Sequence, residues 1–193
     1  MRTAFVVFDR MTALDFVGIY DPLTRLHSMG FLPDFAWAVC AQTQEVTDDR
    51  GLRLHATAVG GSLAAYDLLV VPGGVGTRPL MRDPTFLAWL RTAAPVPLKV
   101  SVCTGALLLG AAGFLQEKRA TTHPSALADL APFCSTVLAT RLVDEGTVVT
   151  AGGVTAALDA GLLLVDRLAG ADIARRIRQQ MDYPYTLAAR DRA

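Results

Sequence analysis

The 193-residue chain predicts an α/β fold: a doubly wound, mostly parallel central sheet with helices on both faces. Three observations predict it. Short apolar runs of strand length alternate with segments long enough for amphipathic helices. One of those runs, Leu68-Leu69-Val70-Val71, is apolar without a break, as a strand buried on both faces is. Another, Leu98 to Val102, passes at Cys103 straight into the helix-like run Thr104-Gly105-Ala106-Leu107-Leu108-Leu109. A strand that turns sharply into a helix at one small nucleophile is a nucleophile elbow.

In chain order, the first strand is expected at Ala4 to Phe8, followed by a helix over about 16–29 that Gly30 ends in the C′ role. Phe35 to Ala41 reads as a second strand, and the alternating stretch Leu52 to Val59 as a third. Leu68 to Val71 ends at the tight turn Pro72-Gly73-Gly74, where backbone can approach a ligand closely. Asp83-Pro84 supplies N-cap and N1 for a helix whose apolar stripe is Phe86, Leu87 and Leu90. After the Cys103 elbow and its helix, His123-Pro124 opens another short helix. Val137 to Thr140 and Val148 to Thr150 read as strands around an Asp144-Glu145-Gly146 turn. Gly152-Gly153 leads into a helix over about 154–168. Asp172 is expected to cap a last helix reaching about Asp182, which Pro184 stops. A single domain over 1–185 is expected, with a polar, frayed tail over 186–193.

Half the residues are hydrophobic, enough for a sizeable core, and 18 Lys plus Arg balance 18 Asp plus Glu. That balance gives no long-range attraction toward nucleic acid or anionic lipid. Cys40, Cys103 and Cys134 are too few and too scattered for a disulfide framework, and no Cys/His cluster suggests a metal. No apolar stretch reaches membrane-spanning length, and Asp9 and Arg10 interrupt the N-terminal run before it resembles a signal peptide. The expectation is a soluble cytoplasmic protein with reduced thiols.

Ligands of doubly wound sheets bind at the carboxyl ends of the strands. By that rule Asp15, Gly73-Gly74 and Cys103 converge. At the N-terminus of its helix, Cys103 is expected to favour the thiolate. Asp15 has two readings, as a cap of the helix that follows or as a carboxyl group close to the thiol. Cys40 sits in an apolar run and reads as core, Cys134 as structural, and Asp21 as a solvated residue inside the first helix.

These places are also where the chain resembles the ThiJ/PfpI superfamily, whose fold is flavodoxin-like, a three-layer α/β/α sandwich, and related to class I glutamine amidotransferases. The matching stretches are Leu14-Asp15-Phe16-Val17-Gly18, Val71-Pro72-Gly73-Gly74, Val102-Cys103-Thr104-Gly105-Ala106, Arg119-Ala120-Thr121-Thr122-His123 and Gly152-Gly153-Val154-Thr155. They occur in family order and span nearly the whole chain. Within the superfamily they look most like the isonitrile hydratases. They also resemble the amidase-like sensor domain of AraC-type regulators, whose helix-turn-helix region would lie beyond residue 193. The protease-like branch carries a histidine directly after the cysteine, where this chain has Thr104, and the amidotransferases use a late His-x-Glu pair. His27, His55 and His123 supply no such pair.

The resemblance implies Cys103 as nucleophile, Asp15 as its proton-transfer partner and Thr104 in support through its N–H. It implies Gly73 and Gly74 at the oxyanion turn, with Gly74 the second oxyanion donor, and Gly153 and Thr155 on the pocket wall. His123 is either a helix cap or an accessory group at the site. No metal or organic cofactor is implied. The implied partners are a small-molecule substrate and a second copy of the chain. The implied reaction is hydration of an isonitrile to an N-substituted formamide through a thioimidate on Cys103. A redox-responsive protein with an oxidisable Cys103, a ligand-sensing domain and a glyoxalase-like enzyme are the alternatives.

Overall fold

The computed structural model describes residues 1–185 and the backbone of 191–192. In chain order the elements are β1 Arg2–Val6, α1 Ala13–Ser28, β2 Ala36–Ala41, β3 Glu45–Thr47, β4 Arg53–His55, β5 Ala58–Val59, β6 Leu68–Val71, α2 Thr77–Leu80, α3 Pro84–Arg91, β7 Leu98–Val102 and α4 Gly105–Ala111. There follow β8 Arg119–Ala120, a 3₁₀ turn Pro124–Ala126, α5 Leu127–Leu130, a 3₁₀ turn Ala131–Phe133, β9 Thr136–Val137, β10 Leu142–Asp144, β11 Val148–Ala151, α6 Ala156–Ala169, α7 Ala171–Gln180 and β12 Asp191–Arg192.

The main sheet has the order β12-β10-β11-β7-β6-β1-β2-β5. Its central strands are parallel, and β10 runs antiparallel to β11. The strands β2-β1-β6-β7-β11 occupy the 2-1-3-4-5 positions of a flavodoxin-like sheet. β6 and β7 are buried at every residue, because helices cover both faces of the sheet. One layer holds α1, α6 and α7, and the other gathers α2 to α5 around α4. The fold is therefore the three-layer sandwich that the sequence predicts.

Two glycines set how closely α1 and α6 pack. A Cβ at Gly18 would stand 2.6 Å from Ala157 Cβ, and one at Gly161 would stand 2.9 Å from Pro22 Cγ. Their absence lets the two helices approach nearly backbone to backbone, which holds the start of α1 over the carboxyl ends of the central strands.

Several boundaries differ from the sequence reading. α1 begins at Ala13, three residues early, because Thr12 is extended and takes the N-cap position. The expected strand over 52–59 is broken into β4 and β5. β4 pairs with β3 in a separate hairpin, while β5 joins the edge of the main sheet beside β2. Thr57 makes the change of partner: its N–H donates to the Val39 carbonyl and its hydroxyl accepts from Val39 N–H at 2.9 Å. The expected strand over 137–140 ends at Val137, where β9 pairs with β8 in a small parallel sheet. Beyond it the Thr140 carbonyl is held by the Thr121 hydroxyl, and the hairpin partner of β11 is β10 instead. Asp172 does not cap α7. Gly170, with φ 92°, both ends α6 and begins α7, and Asp172 pairs with Arg175 within the first turn. Asp83 caps α3 as expected, accepting from Thr85 N–H and Phe86 N–H. Most of the tail expected over 186–193 lies outside the described residues; Asp191–Arg192 runs parallel beside β10.

Candidate active site

β7 delivers Cys103 to the carboxyl end of the sheet, and α4 starts two residues later. Cys103 has φ 54°, a left-handed conformation that a residue with a Cβ adopts only under constraint. Its N–H is shared by the carbonyls of Ala151 and Gly152, both at 2.9 Å, and its carbonyl accepts from the Thr122 hydroxyl at 2.8 Å. Two neighbouring segments, 151–152 and Thr122, thus hold the elbow in its strained form.

Asp15 arrives from the first turn of α1. It is 0 % exposed, and it does not cap its own helix. Its Oδ2 accepts instead from Gly73 N–H at 3.0 Å, while Gly73 carbonyl accepts from Thr12 N–H at 2.9 Å. The turn after β6 is therefore bonded on both sides to the start of α1. Gly73 also explains the spacing of the site. A Cβ there would lie 2.5 Å from Thr104 N and 2.8 Å from both Asp15 Oδ2 and Cys103 Cβ. The carboxyl group, the thiol-bearing carbon and the N–H of Thr104, the residue before α4, meet around that one missing methyl group.

The two acids perturb each other. Burial raises the Asp15 carboxyl from its ordinary value to about 7, opposed by the Gly73 N–H and by hydrogen bonding with Cys103, and Asp49 adds a like charge that raises it further. Burial and the Asp15 charge push the Cys103 thiol up to about 12, although Thr104 N–H stabilises the thiolate. Burial and the adjacent carboxyl thus act against the thiolate that the helix N-terminus is expected to favour. Cys103 is only 6 % exposed, α4 is a helix of seven residues, and an adjacent carboxylate outweighs its dipole. The two groups titrate as one coupled pair, which holds a single negative charge between carboxyl and sulfur as pH rises through neutrality.

Above the sulfur lies a pocket of about 240 Å³, lined by Thr12, Asp49, Gly74, Val75, Arg78, Cys103, Thr104, His123, Ser125 and Val154. Thr104 is beside the nucleophile as expected, but its hydroxyl is engaged. It accepts from Gly74 N–H at 2.9 Å and donates to Gly74 carbonyl at 3.1 Å. Gly74, the expected second oxyanion donor, therefore directs its N–H at Thr104 rather than into the pocket. With φ 126°, and with Thr12 N 2.5 Å from where a Cβ would stand, position 74 admits only glycine. His123 satisfies both of its readings. It caps the Pro124–Ala126 turn by accepting from Ser125 N–H at 3.2 Å, and it lines the pocket.

Gly153 and Thr155 line a neighbouring cavity instead, and of the stretch 152–155 only Val154 borders both. A Cβ at Gly153 would make no contact closer than 3.7 Å, so close approach is not what that glycine supplies. Asp21 pairs with Arg25 on α1, Cys40 is buried against Tyr66, and Cys134 is half-buried. The sequence reading missed Thr12, Asp49 and Arg78. Thr12 carries an N-cap signal, being a threonine before an apolar helix. Asp49 sits in an Asp48-Asp49-Arg50-Gly51 turn that reads as an ordinary loop, and Arg78 follows a glycine turn with no signal of its own.

Among the described residues, no three His, Cys, Asp or Glu side chains group to hold a metal ion, and no helix is long and apolar enough to cross a membrane. A buried thiol at a strained elbow, with a carboxyl group beneath it at the switch point of a flavodoxin-like sheet, defines a nucleophile-elbow α/β protein. The chain belongs to the DJ-1/PfpI family, whose profile matches residues 1–167. It is 39% identical over 186 residues to an isonitrile hydratase of Pseudomonas putida, across 95% of this chain and 78% of that protein. It is 26% identical to the HTH-type transcriptional regulator GbdR of Pseudomonas aeruginosa, where it spans 93% of its own length and half of the regulator. Among solved structures, a THiJ/PfpI family protein from Pseudomonas syringae superposes with a TM-score of 0.87 at 32% identity, over 96% of this chain and 76% of that one. Drosophila melanogaster DJ-1beta, at 19% identity and a TM-score of 0.82 over 95% and 98% of the two chains, shares the fold.

Proposed function

We propose that the protein is a cysteine-dependent isonitrile hydratase. The observation that carries this reading is the Asp15 carboxyl, raised to about 7 by burial and set against the thiol of Cys103 at the floor of a pocket. The 39% identity to the Pseudomonas putida hydratase supports the choice of reaction.

The bond-making and proton transfers use this pair. As the sulfur attacks the terminal carbon of R–N≡C, Asp15 carboxylate takes the thiol proton and returns it to that carbon, leaving a thioimidate, R–N=CH–S, on Cys103. Asp15, again ionised, removes a proton from water as its oxygen attacks the same carbon, and delivers that proton to nitrogen. The resulting R–NH–CH(OH)–S adduct collapses. The C–S bond breaks, the hydroxyl proton passes to sulfur, and R–NH–CHO leaves. Thr104 N–H stabilises charge on sulfur during attack and release. A sulfur that is 6 % exposed and hydrogen-bonded to a carboxyl group suits attack coupled to proton transfer better than it suits an oxidation sensor, which needs an accessible sulfur.

The test is turnover of simple alkyl and aryl isonitriles, followed as formamide by chromatography. Formation of product by wild type and its loss in Cys103→Ala is expected. Equal inactivity of the two proteins across the panel overturns the proposal.

A further inference from the structure

The cavity beside the thiol pocket, about 450 Å³, is walled by residues that grip the elbow itself. Thr122, which lines it, donates to the Cys103 carbonyl, and Gly152, which also lines it, accepts from Cys103 N–H. Val154 forms a wall common to this cavity and the thiol pocket. The space therefore begins directly behind the reacting residue.

Its cation is Arg141. The guanidinium Nε donates to Asp159 Oδ2, and Asp159, 2 % exposed, has its other oxygen held by Tyr183 Oη at 2.8 Å. These contacts fix the plane of the guanidinium. The two terminal nitrogens share one long contact, 3.4 Å each, to Thr155 Oγ1. A fork of N–H donors with its orientation fixed at the back and its front end so lightly engaged suits the two oxygens of a carboxylate. Thr155 accepts from that fork, which leaves its own hydroxyl proton to donate. Asp159 neutralises the formal charge of Arg141, so recognition rests on directed hydrogen bonds rather than on a net positive field.

We infer that this cavity is a carboxylate subsite, in which Arg141 and Thr155 take a carboxylate carried on the R group of a molecule whose reactive carbon sits at Cys103. The inference rests on the hydratase reading and narrows its substrate class to isonitriles that carry a carboxylate.

Binding and turnover separate the two ideas. N-formyl-β-alanine, the product type expected from such a substrate, and its methyl ester are titrated calorimetrically into Cys103→Ala. The carboxylate is expected to bind at least tenfold more tightly than the ester. Arg141→Lys narrows the gap and Arg141→Gln removes it. Because Arg141→Gln also strips buried Asp159 of its ion-pair partner, Thr155→Val is the second variant. It leaves that pair intact and is expected to weaken the carboxylate several-fold while leaving the ester unchanged. Equal affinity for carboxylate and ester in the Arg141-containing protein overturns the subsite. Turnover of neutral benzyl isonitrile and of 3-isocyanopropanoate by the wild-type enzyme is measured in parallel. Turnover without carboxylate preference overturns the subsite and leaves the hydratase. Arg141-dependent carboxylate binding with no isonitrile turned over supports the subsite and overturns the hydratase.

Discussion

Replacing Asp15 by asparagine should stabilise the protein while it destroys the chemistry. The carboxyl is 0 % exposed and raised from 3.8 to about 7 in the folded chain. A shift of that size, at about 1.4 kcal/mol per pKa unit, means that the ionised group costs on the order of 4 kcal/mol of folding stability once the pH is well above 7. The sign follows from the direction of the shift. The folded state holds its proton more tightly than the unfolded state, so stability is highest below about 4 and falls as pH rises through 7. Asparagine keeps the acceptor for Gly73 N–H and carries no charge, so it escapes that penalty. The expected gain over wild type is up to about 4 kcal/mol at pH 8.5, a rise in Tm on the order of 10 °C for a chain of this size. At pH 4 the gain shrinks to a small fraction of that. Turnover should fall by about 10² to 10⁴, the range of general acid–base catalysis. Thermal melts of both proteins from pH 4 to 9 test the argument. A difference in Tm that does not grow with pH refutes it, because the carboxylate would then carry no desolvation penalty.

Four further outcomes are expected. The pH profile of kcat/KM should rise about tenfold per unit below pH 7 and level off above it, since Asp15 must be ionised to take the thiol proton; Asp49→Asn, which removes the like charge raising Asp15, should move the midpoint to lower pH. Gly73→Ala should leave a folded protein with turnover reduced at least 10²-fold, because the new Cβ forces Thr104 N, Asp15 and Cys103 apart; unchanged kinetics would show that the three do not act together. Alkylation of Cys103 by iodoacetamide, followed by intact mass, should be slow at pH 7 and should accelerate with pH beyond 9, as its raised thiol pKa requires. Gly18→Ala should lower stability by about 1–3 kcal/mol in urea denaturation, because the methyl group meets Ala157 at the α1–α6 crossing.

The parts of the fold that were legible from sequence are those in which local pattern and tertiary environment agree. Leu68–Val71 is an unbroken apolar run, and Leu98–Val102 is apolar at three of its five positions; helices cover both faces of these strands, and the sheet places them at its centre. Asp83-Pro84 reads as a helix start because cap and first residue are both local. The failures occur where partner choice decides the structure. The alternation over 52–59 fits a strand, but nothing in it says that β4 and β5 pair with different sheets. The hairpin partner of β11 was misplaced by a few residues for the same reason, since Thr140 spends its carbonyl on Thr121 from another segment. At the site, Cys103 and Asp15 were legible because strand ends converge, whereas Asp49 and Arg78 reach the pocket from loops whose course depends on long-range contacts.

The raised thiol alters what the elbow is for. A helix N-terminus is a means of keeping sulfur ionised, yet here seven residues of helix act against burial and an adjacent carboxyl group, both of which push the thiol pKa up. The strained φ of Cys103 then serves geometry. It sets the thiol at the pocket floor while Gly73 lets the carboxyl group approach closely, so that in the proposed reaction proton transfer and bond formation share one step. The same arrangement accounts for the burial of Asp15. An exposed aspartate near its ordinary value of 3.8 would be too weak a base at neutral pH, and the folding stability given up to bury it is what brings the carboxyl into the range where it can both accept and return a proton.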